Sequence, residues 1–383
     1  LMIPLTYSCR NLLRRPVQSI QLIIGSSLVV MLVMLAACMN QAMDRTLART
    51  GEPRNVILLG AGSEESVERS EVRNGLEQII ASSIPGILQT MEKPTISPEI
   101  HFNGMLSANK VNSQALVRGV RHEALWVHKE IRILEGRFPE SGEIMIGRLA
   151  HQKLGISSSA LQIGKIVELS GEKMVISGIF DAIGTVMEAE VWVPLQDLMT
   201  YTQRDKLSCV IVSLVNTDYI PDLDAFTKQR LDLELVAIQE TEYYAKLSKF
   251  YAPIRWMAWL CAILLSIGAL FGGLNTLYAA FSARIQEFGA MQAIGFSRQA
   301  ILLSLTQESC VTGFIGSFCA FLISIVWFQG LAFPFSIGVF ILDFNSSILI
   351  LGLVTGISLG VIGGVPPAWN CLRATLPETL KSS

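Results

Sequence analysis

The side chains that most often carry out chemistry in proteins are sparse in this sequence and form no recognisable site. The four histidines, His101, His122, His128 and His151, are scattered, and each is interpreted as a surface or structural residue. The seven cysteines include no CxxC pair and no Cys/His cluster with metal-binding spacing. No G-x-x-x-x-G-K-[ST] phosphate-binding loop and no nucleophile–base motif occurs. The sequence therefore gives no support for an enzyme, and we expect neither a catalytic residue nor a metal.

The strongest candidate for a functional contact is "ARIQEFGAMQAIGFSRQ" at 283–299, a short charged segment between two long apolar stretches. Arg284 and Glu287 are i,i+3 neighbours that can pair on a helix surface. Gly295 suits the left-handed position that ends a helix. An apolar residue recurs at every third position of the segment, which predicts a stripe made of Ile285, Phe288, Met291 and Ile294. We expect an amphipathic helix that buries this stripe in the membrane interface and offers its polar side to a soluble partner.

Four apolar runs surround this segment and predict a membrane protein. The chain is 51% hydrophobic and 16% charged, against about 25% charged residues in ordinary soluble domains. A membrane-spanning helix needs about 20 apolar residues. Uncharged runs of at least that length predict transmembrane spans at 17–39, 256–281, 300–328 and 346–366.

The short segments between the spans predict the orientation. Residues 1–16, 282–299 and 367–383 carry more Lys and Arg than acidic residues, whereas 329–345 carries only one acid. Because basic loops mark the cytoplasmic side, we expect both termini and the charged segment in the cytoplasm. The N-terminal segment is interpreted as amphipathic. The loop 329–345 and the long block 40–255 are then outside the inner membrane.

The block 40–255 has the composition of a folded soluble domain, with 23 Lys/Arg and 28 Asp/Glu. Its patterns predict an α+β domain with strands at 55–60, 114–120, 207–215 and 234–238, a hairpin at 164–180, and helices at 68–84 and 221–232. We expect two lobes, one made of the early and late segments and the other of roughly 125–200. Helical continuations of spans one and two predict a stalk. The predicted fold is thus an α-helical four-span transmembrane domain with an α+β extracytoplasmic domain inserted between spans one and two.

These features resemble the ABC-transporter permeases of the MacB/FtsX type along the whole chain. The charged segment is similar to that family's pattern Arg-x-x-Glu-[Ile/Phe]-Gly-x-x-[Arg/Gln]-Ala-[Ile/Leu]-Gly, with Gln292 where Arg is more frequent. A glutamate, Glu308, follows as in the family. The stretch 117–155 resembles the family's core domain, and "VPPAWNCLRATLPETLK" at 365–381 resembles its C-terminal signature.

The resemblance implies that the charged segment is a coupling helix that docks on an ABC ATPase. The predicted interface consists of Arg284, Glu287, Phe288, Gly289, Gln292, Ala293 and Gly295. ATP and Mg²⁺ are expected on the partner ATPase and no cofactor on this chain. Two copies of the permease, or one copy with a similar permease, are expected in the bilayer, with Gly313 and Gly316 permitting close packing. Glu308 either packs against a neighbouring span or the coupling helix, or lies at the membrane interface.

The implied function is a permease subunit of an ATP-driven transporter. Motion of the ATPase would pass to the extracytoplasmic domain, which exports or extracts a peptide, drug, lipid or lipoprotein, with a periplasmic adaptor or outer-membrane partner as a further expectation. The alternative is an FtsX-like regulator that activates an extracytoplasmic hydrolase without moving a solute. A third reading, a receptor without an ATPase, leaves the charged segment unexplained. No nucleic acid is expected.

Overall fold

The computed structural model of the protein describes residues 10–12, 14 and 16–372. The predictions for the remainder of the N-terminal segment 1–16 and for residues 373–383 of the C-terminal tail lie outside the described residues. The helices are α1 (Pro16–Arg49), α2 (Leu76–Ser83), α3 (Ala124–Val127), α4 (Ala150–Leu154), α5 (Leu195–Thr202), α6 (Ile220–Gln229), α7 (Glu240–Phe250), α8 (Ala252–Ser282), α9 (Ile285–Ala293), α10 (Arg298–Phe328) and α11 (Ser346–Leu372).

The strands belong mainly to the segment between α1 and α7. They are β1 (Asn55–Gly60), β2 (Val72–Arg73), β3 (Gln89–Thr90), β4 (Lys93–Pro94), β5 (Ile96–Ala108), β6 (Val111–Val120), β7 (Arg132–Gly136), β8 (Glu143–Gly147), β9 (Ile166–Leu169), β10 (Glu172–Asp181), β11 (Val191–Pro194), β12 (Lys206–Leu207), β13 (Cys209–Ser213), β14 (Leu235–Gln239), β15 (Ala332–Phe335) and β16 (Gly338–Ile341).

The chain divides into two compact units. The helical unit holds α1 up to Gln41, then Pro253–Leu331, and the described residues from Leu342 onward. The β-rich unit holds Ala42–Ala252 and Ala332–Ile341. The helices α1, α8, α10 and α11 are each long and apolar enough to cross a membrane, as the four apolar runs predict.

The boundaries of these helices follow from their local sequences. Helix α1 continues to Arg49, ten residues beyond the predicted span at 17–39, because Ala42, Met43 and Leu47 give its last turns a buried face in the β-rich unit. Helix α8 begins one residue before Pro253. Proline is tolerated in the first helical turn, where its missing amide hydrogen has no helical partner to lose. The break between α7 and α8 therefore falls at Tyr251.

A single ten-stranded sheet forms the centre of the β-rich unit, in the order β14-β1-β13-β5-β6-β11-β8-β10-β7, with β9 pairing with β10 and β5. Strand β5 is 13 residues long. Its first residues pair with β13 and its remainder pairs with β6. Strands from both predicted lobes belong to this one sheet, in which β5 pairs with strands of each.

The structure confirms one predicted element of this domain, a hairpin, and corrects another, a helix. The hairpin at 164–180 is confirmed: β9 and β10 pair across a turn in which Ser170 and Gly171 have positive φ. The predicted helix at 68–84 is wrong over its first half. Only Leu76–Ser83 is α-helical, Val67–Arg69 forms a single 3-10 turn, and Val72–Arg73 instead pairs with β12. Gly75, in the left-handed region, separates the two elements.

The predicted loop at 329–345 contains a folded hairpin of β15 and β16 that belongs to the β-rich unit. Phe340 joins a buried cluster with Val186 and Tyr251. The ammonium group of Lys153 donates hydrogen bonds to the backbone oxygens of Phe335 and Ser336. The composition of this stretch, rich in Phe and Gly, does not distinguish a hairpin from a loop, and the packing partners are distant in sequence.

Candidate functional site

The charged segment folds as the short helix α9 between α8 and α10, inside the helical unit. The helix ends before Gly295, whose φ of 106° lies in the left-handed region. Ser297 then caps α10, because its hydroxyl accepts a hydrogen bond from the amide of Ala300. A glycine at the end of one helix and a serine at the start of the next give the chain a compact reversal between α9 and α10.

Arg284 is the best-anchored side chain of this segment. It is 4% exposed. Its Nη1 donates to the two carboxylate oxygens of Glu308 at 3.2 and 3.1 Å, and its Nε donates to Glu287 at 3.2 Å. The guanidinium also lies 5.3 Å from the ring centre of Phe288. Of the two interpretations of Glu308, the structure supports packing against the charged segment.

Asn11 is a member of this cluster that sequence analysis missed. Its amide nitrogen donates to Glu308 at 3.2 Å, across 297 positions of the chain. Asn11 is buried, although it precedes the first long helix. A lone asparagine in a basic segment carries no signal of such a contact, so only the fold reveals it.

Only some residues of the predicted partner interface are exposed on the surface of this segment. Phe288 and Gly289 are buried, so with Arg284 they face the interior of the helical unit and do not offer a surface to another protein. Glu287 remains exposed over 53% of its side chain. Ala293 and Gly295 are also exposed, and Gln292 is half-buried.

The apolar stripe of α9 packs against protein rather than against the membrane interface as predicted. Phe288 belongs to a buried cluster with Phe281 of α8 and Ile301 of α10, and Ile285 and Met291 pack against it. Ile294 departs from the stripe because the helix has already ended, and it is 75% exposed. The segment thus packs as part of the helical unit, against α8 and α10.

Gly313 and Gly316 of α10 pack within the same protomer. A Cβ atom on Gly313 would collide with the backbone oxygen of Gly356 in α11, and one on Gly316 would collide with the hydroxyl of Ser26 in α1. Close backbone approach through small residues is common between membrane helices. The expectation that these glycines help to join two copies is therefore corrected: they join helices of one copy.

The β-rich unit contains a second cluster, which sequence analysis did not identify, centred on buried Arg118 of β6. Its guanidinium donates two hydrogen bonds of 2.7 Å to Glu190 and one of 2.7 Å to Glu99. His128 lies 2.7 Å from the other oxygen of Glu99. All four side chains are almost completely buried. Two histidines interpreted as scattered, His101 and His128, therefore both contact Glu99.

The ionisation of this cluster is set by burial and by its opposite charges. Burial opposes ionisation of Glu99, but His128 and Arg118 hold its pKa well below its usual range. Burial likewise opposes ionisation of Glu190, but Arg118 holds its pKa below its usual range. Burial also opposes the charge of His128, yet contact with Glu99 raises its pKa. Burial and the nearby Arg118 lower the pKa of His101, so its imidazole is neutral near pH 7.

A cavity of about 380 Å³ lies beside this cluster within the β-rich unit. Arg118, Glu190 and His101 reach it from the sheet, Tyr243 and Tyr244 from α7, and Ser336 from the hairpin β15–β16. Its wall thus combines ionised groups with phenol rings from three separate parts of the unit.

Two family models match the chain in succession. The model described as MacB-like periplasmic core domain covers residues 20–225, more than half of the chain. The model described as FtsX-like permease C-terminal covers residues 259–376. The chain belongs to the MacB/FtsX-type family of ABC permeases. It is accordingly a multi-pass membrane protein with a β-rich extracytoplasmic core domain between its first and second spans.

Individual relatives of this family are distant. The chain is 20% identical to the macrolide export ATP-binding/permease protein MacB of Bordetella avium (strain 197N), over 96% of its own length and 58% of that protein. The chain therefore spans a little over half of that relative. The periplasmic region of MacB from Actinobacillus actinomycetemcomitans is 11% identical with a TM-score of 0.40, over 51% of this chain and 92% of that one. The extracellular domain of the noncanonic ABC-type transporter YknZ from Gram-positive bacteria is 15% identical with a TM-score of 0.37, over 48% of this chain and 99% of that one.

Proposed function

We propose that this chain is the permease subunit of an ATP-driven transporter and passes the motion of a partner ATPase to its extracytoplasmic core domain. The ATPase binds ATP and Mg²⁺ on the cytoplasmic side, where both termini and α9 of this chain also lie. The core domain then exports or extracts a substrate such as a peptide, drug, lipid or lipoprotein. Membership of the MacB/FtsX-type family supports this proposal.

The observation that carries the proposal is the anchoring of α9. Arg284 joins the start of α9 to Glu308 inside α10, while Glu287 leaves part of its carboxylate side chain exposed on the same helix. A push on the exposed side of α9 is therefore transferred to α10 through a buried ion pair. A loop joined to α10 only by the backbone would instead absorb the displacement.

The core domain has contacts that suit the receiving end of such motion. The last turns of α1 pack against α7 through Met43, Leu47 and Tyr244. Glu240, at the start of α7, accepts hydrogen bonds from the amide of Glu52 and from Asn55. The helices leading from span one and toward span two are thus fixed to each other and to β1. We propose that two helices held in this way act as a stalk and move the sheet together.

A second permease copy completes the proposed complex, since ABC ATPases act in pairs. The small residues of α10 already pack inside the protomer, so the contact between copies has to use another surface. Helix α8 offers Gly268, Gly272 and Gly273, where an added Cβ would meet no atom of the described residues within 4 Å. Its sequence contains a GxxxG motif, which favours close pairing of membrane helices. We propose α8 as the helix that faces the second copy.

Glu287→Ala is expected to weaken the ATPase contact without unfolding the permease. An exposed paired charge contributes about 0–1 kcal/mol to stability, whereas losing one partner of a desolvated charge pair at an interface costs about 2–5 kcal/mol. The affinity for the ATPase should therefore fall at least about tenfold. Tagged full-length chain is purified from membranes of its native host, and the ABC-type ATPase recovered with it is quantified.

The matched control is Glu92→Ala, which removes an exposed carboxylate from the core domain. It should retain the ATPase at the level of the unaltered chain. Equal recovery with Glu287→Ala and the unaltered chain would exclude Glu287 from the contact. The alternative, a regulator, predicts a different result. The ATPase would still dock through α9, but the complex would activate an extracytoplasmic hydrolase and move no solute.

A further inference from the structure

We propose that the core domain binds a zinc-like divalent cation between Glu99, His101 and Cys209. One ligand atom from each of these side chains lies within 4.8 Å of the others. The site is separate from α9 and from the ATPase contact, so it is independent of the proposed transport function. Sequence spacing does not indicate it, because Cys209 lies more than a hundred positions from the other two residues.

The strand register places the three side chains on one face of the sheet. Cys209 in β13 is the direct antiparallel partner of Glu99 in β5, and side chains opposite each other on paired strands project to the same side. His101 lies two residues after Glu99, and residues at i and i+2 of a strand also share a face. The backbone therefore fixes the arrangement before any side-chain rotation is considered.

The distance between two of the ligand atoms matches a tetrahedral site. Nε2 of His101 lies 3.3 Å from Oε2 of Glu99. Bonds of about 2.0–2.1 Å from zinc to nitrogen and oxygen place two such ligands about 3.3 Å apart in a tetrahedron. A cation can thus replace the imidazole proton between these atoms with little movement. The proton shifts to Nδ1 of His101, and the thiol of Cys209 releases its proton to solvent when sulfur becomes a ligand.

The chemistry of the three donors selects this class of metal. Thiolate, imidazole and carboxylate are the usual ligands of Zn²⁺, whereas Mg²⁺ and Ca²⁺ prefer oxygen ligands. Cys209 is a free cysteine, and it is the single cysteine between Asn40 and Arg255, so no disulfide within that domain competes for its sulfur. Three protein ligands leave the fourth position for water or for a bound molecule.

Two carboxylates, Glu99 and Glu190, lie beside Arg118 and counter its positive charge near the site. Arg118 contacts Glu99, but two hydrogen bonds to Glu190 offset its charge. His128 and Ser97 hold the second oxygen of Glu99, and such outer contacts orient a ligating carboxylate. Each carboxylate oxygen has two lone pairs, so Oε2 can bind the metal while it accepts from Arg118.

The site has an access route from the cavity of about 380 Å³, because His101 and Cys209 both line that cavity. Tyr244 reaches the same space from α7, and Ser336 reaches it from the hairpin β15–β16. A metal with an open fourth position would therefore face a space bounded by the sheet, α7 and the hairpin. A small ligand bound there would contact all three.

Co²⁺ binding to the full-length chain in detergent tests the proposal, since a cysteine thiolate bound to Co²⁺ produces a charge-transfer absorption band. We expect one Co²⁺ per chain with this band, and displacement of Co²⁺ by Zn²⁺. Cys209→Ser, which preserves the shape of the side chain, should abolish the band. His101→Gln should weaken Co²⁺ binding at least about tenfold, because even outer-shell partners contribute about 10–100-fold to metal affinity.

The controls are Cys319→Ala in α10 and His151→Gln on the surface of the core domain, which should both keep the band. Size exclusion verifies that each variant is folded. The proposal is overturned by a wild-type chain that shows no band with excess Co²⁺, or by a band that persists at full strength in folded Cys209→Ser. Loss of the band in Cys319→Ala would place the metal elsewhere and also overturn it.

Discussion

Arg284→Met is expected to destabilise the helical unit more than any other single change near α9. Arg284 is 4% exposed and holds Glu308, whose side chain is 15% exposed in a long apolar helix. Removal of one partner from a buried ion pair costs about 3–5 kcal/mol, because the other charge stays buried without compensation. The full-length chain carrying Arg284→Met should therefore unfold at a lower temperature than the unaltered chain. Size exclusion after heating in mild detergent measures the fraction that remains folded.

The double variant Arg284→Met with Glu308→Met should recover most of the lost stability, since apolar residues of similar volume often replace a buried ion pair without cost. Arg298→Met removes an exposed arginine at the start of α10. Its free energy of unfolding should differ from that of the unaltered chain by less than about 1 kcal/mol. The ion pair does not anchor α9 if Arg284→Met unfolds at the same temperature as the unaltered chain. The same conclusion follows if the double variant is no more stable than the single one.

Arg118→Met should have an effect of similar size in the core domain. The substitution removes the guanidinium that contacts both Glu99 and Glu190, and leaves two buried carboxylates with less compensation. A loss of about 3–5 kcal/mol corresponds to a fall of roughly 6–20 °C in the unfolding temperature of a domain of about 200 residues. Hydrogen exchange of peptides from β6 and β11 in the full-length chain follows this unit specifically.

Arg121→Met provides the matched control, three positions away in the same chain segment. Arg121 pairs with Glu77 but is 43% exposed in its side chain, so its loss should change stability by about 0–1 kcal/mol. Faster exchange in β6 and β11 with Arg118→Met alone is the expected result. Equal protection in both variants would show that the buried cluster contributes no more than a surface ion pair.

Features that depend on local sequence were predictable. The four long helices follow from apolar runs whose length matches the hydrocarbon core. The turn at Ser170–Gly171 follows from alternating residues on both sides of a glycine. The short helix after Ala283 follows from apolar residues at helical spacing and a glycine at its end. Each of these signals lies within one window of the chain.

Features that depend on distant partners were not predictable from one sequence. Glu99 and Arg118 lie in the paired strands β5 and β6, and Glu190 directly precedes β11, so only the pairing of these three strands brings the side chains together. The stripe on α9 was predicted, but periodicity does not distinguish a protein neighbour from lipid, because both bury an apolar face. For the same reason, the partner of Gly313 was predicted on a second copy, whereas it lies on α11.

The most direct test of the account is crosslinking from α9 while the complex is assembled in its membrane. A photoreactive amino acid placed at Ile294, which is 75% exposed beside the end of α9, should form an adduct with an ATPase that contains a phosphate-binding loop, identified by mass spectrometry. The same amino acid at Glu92 in the core domain should form none. Adducts with such an ATPase from Glu92 but not from Ile294 would contradict the proposal that α9 receives the motion of the ATPase.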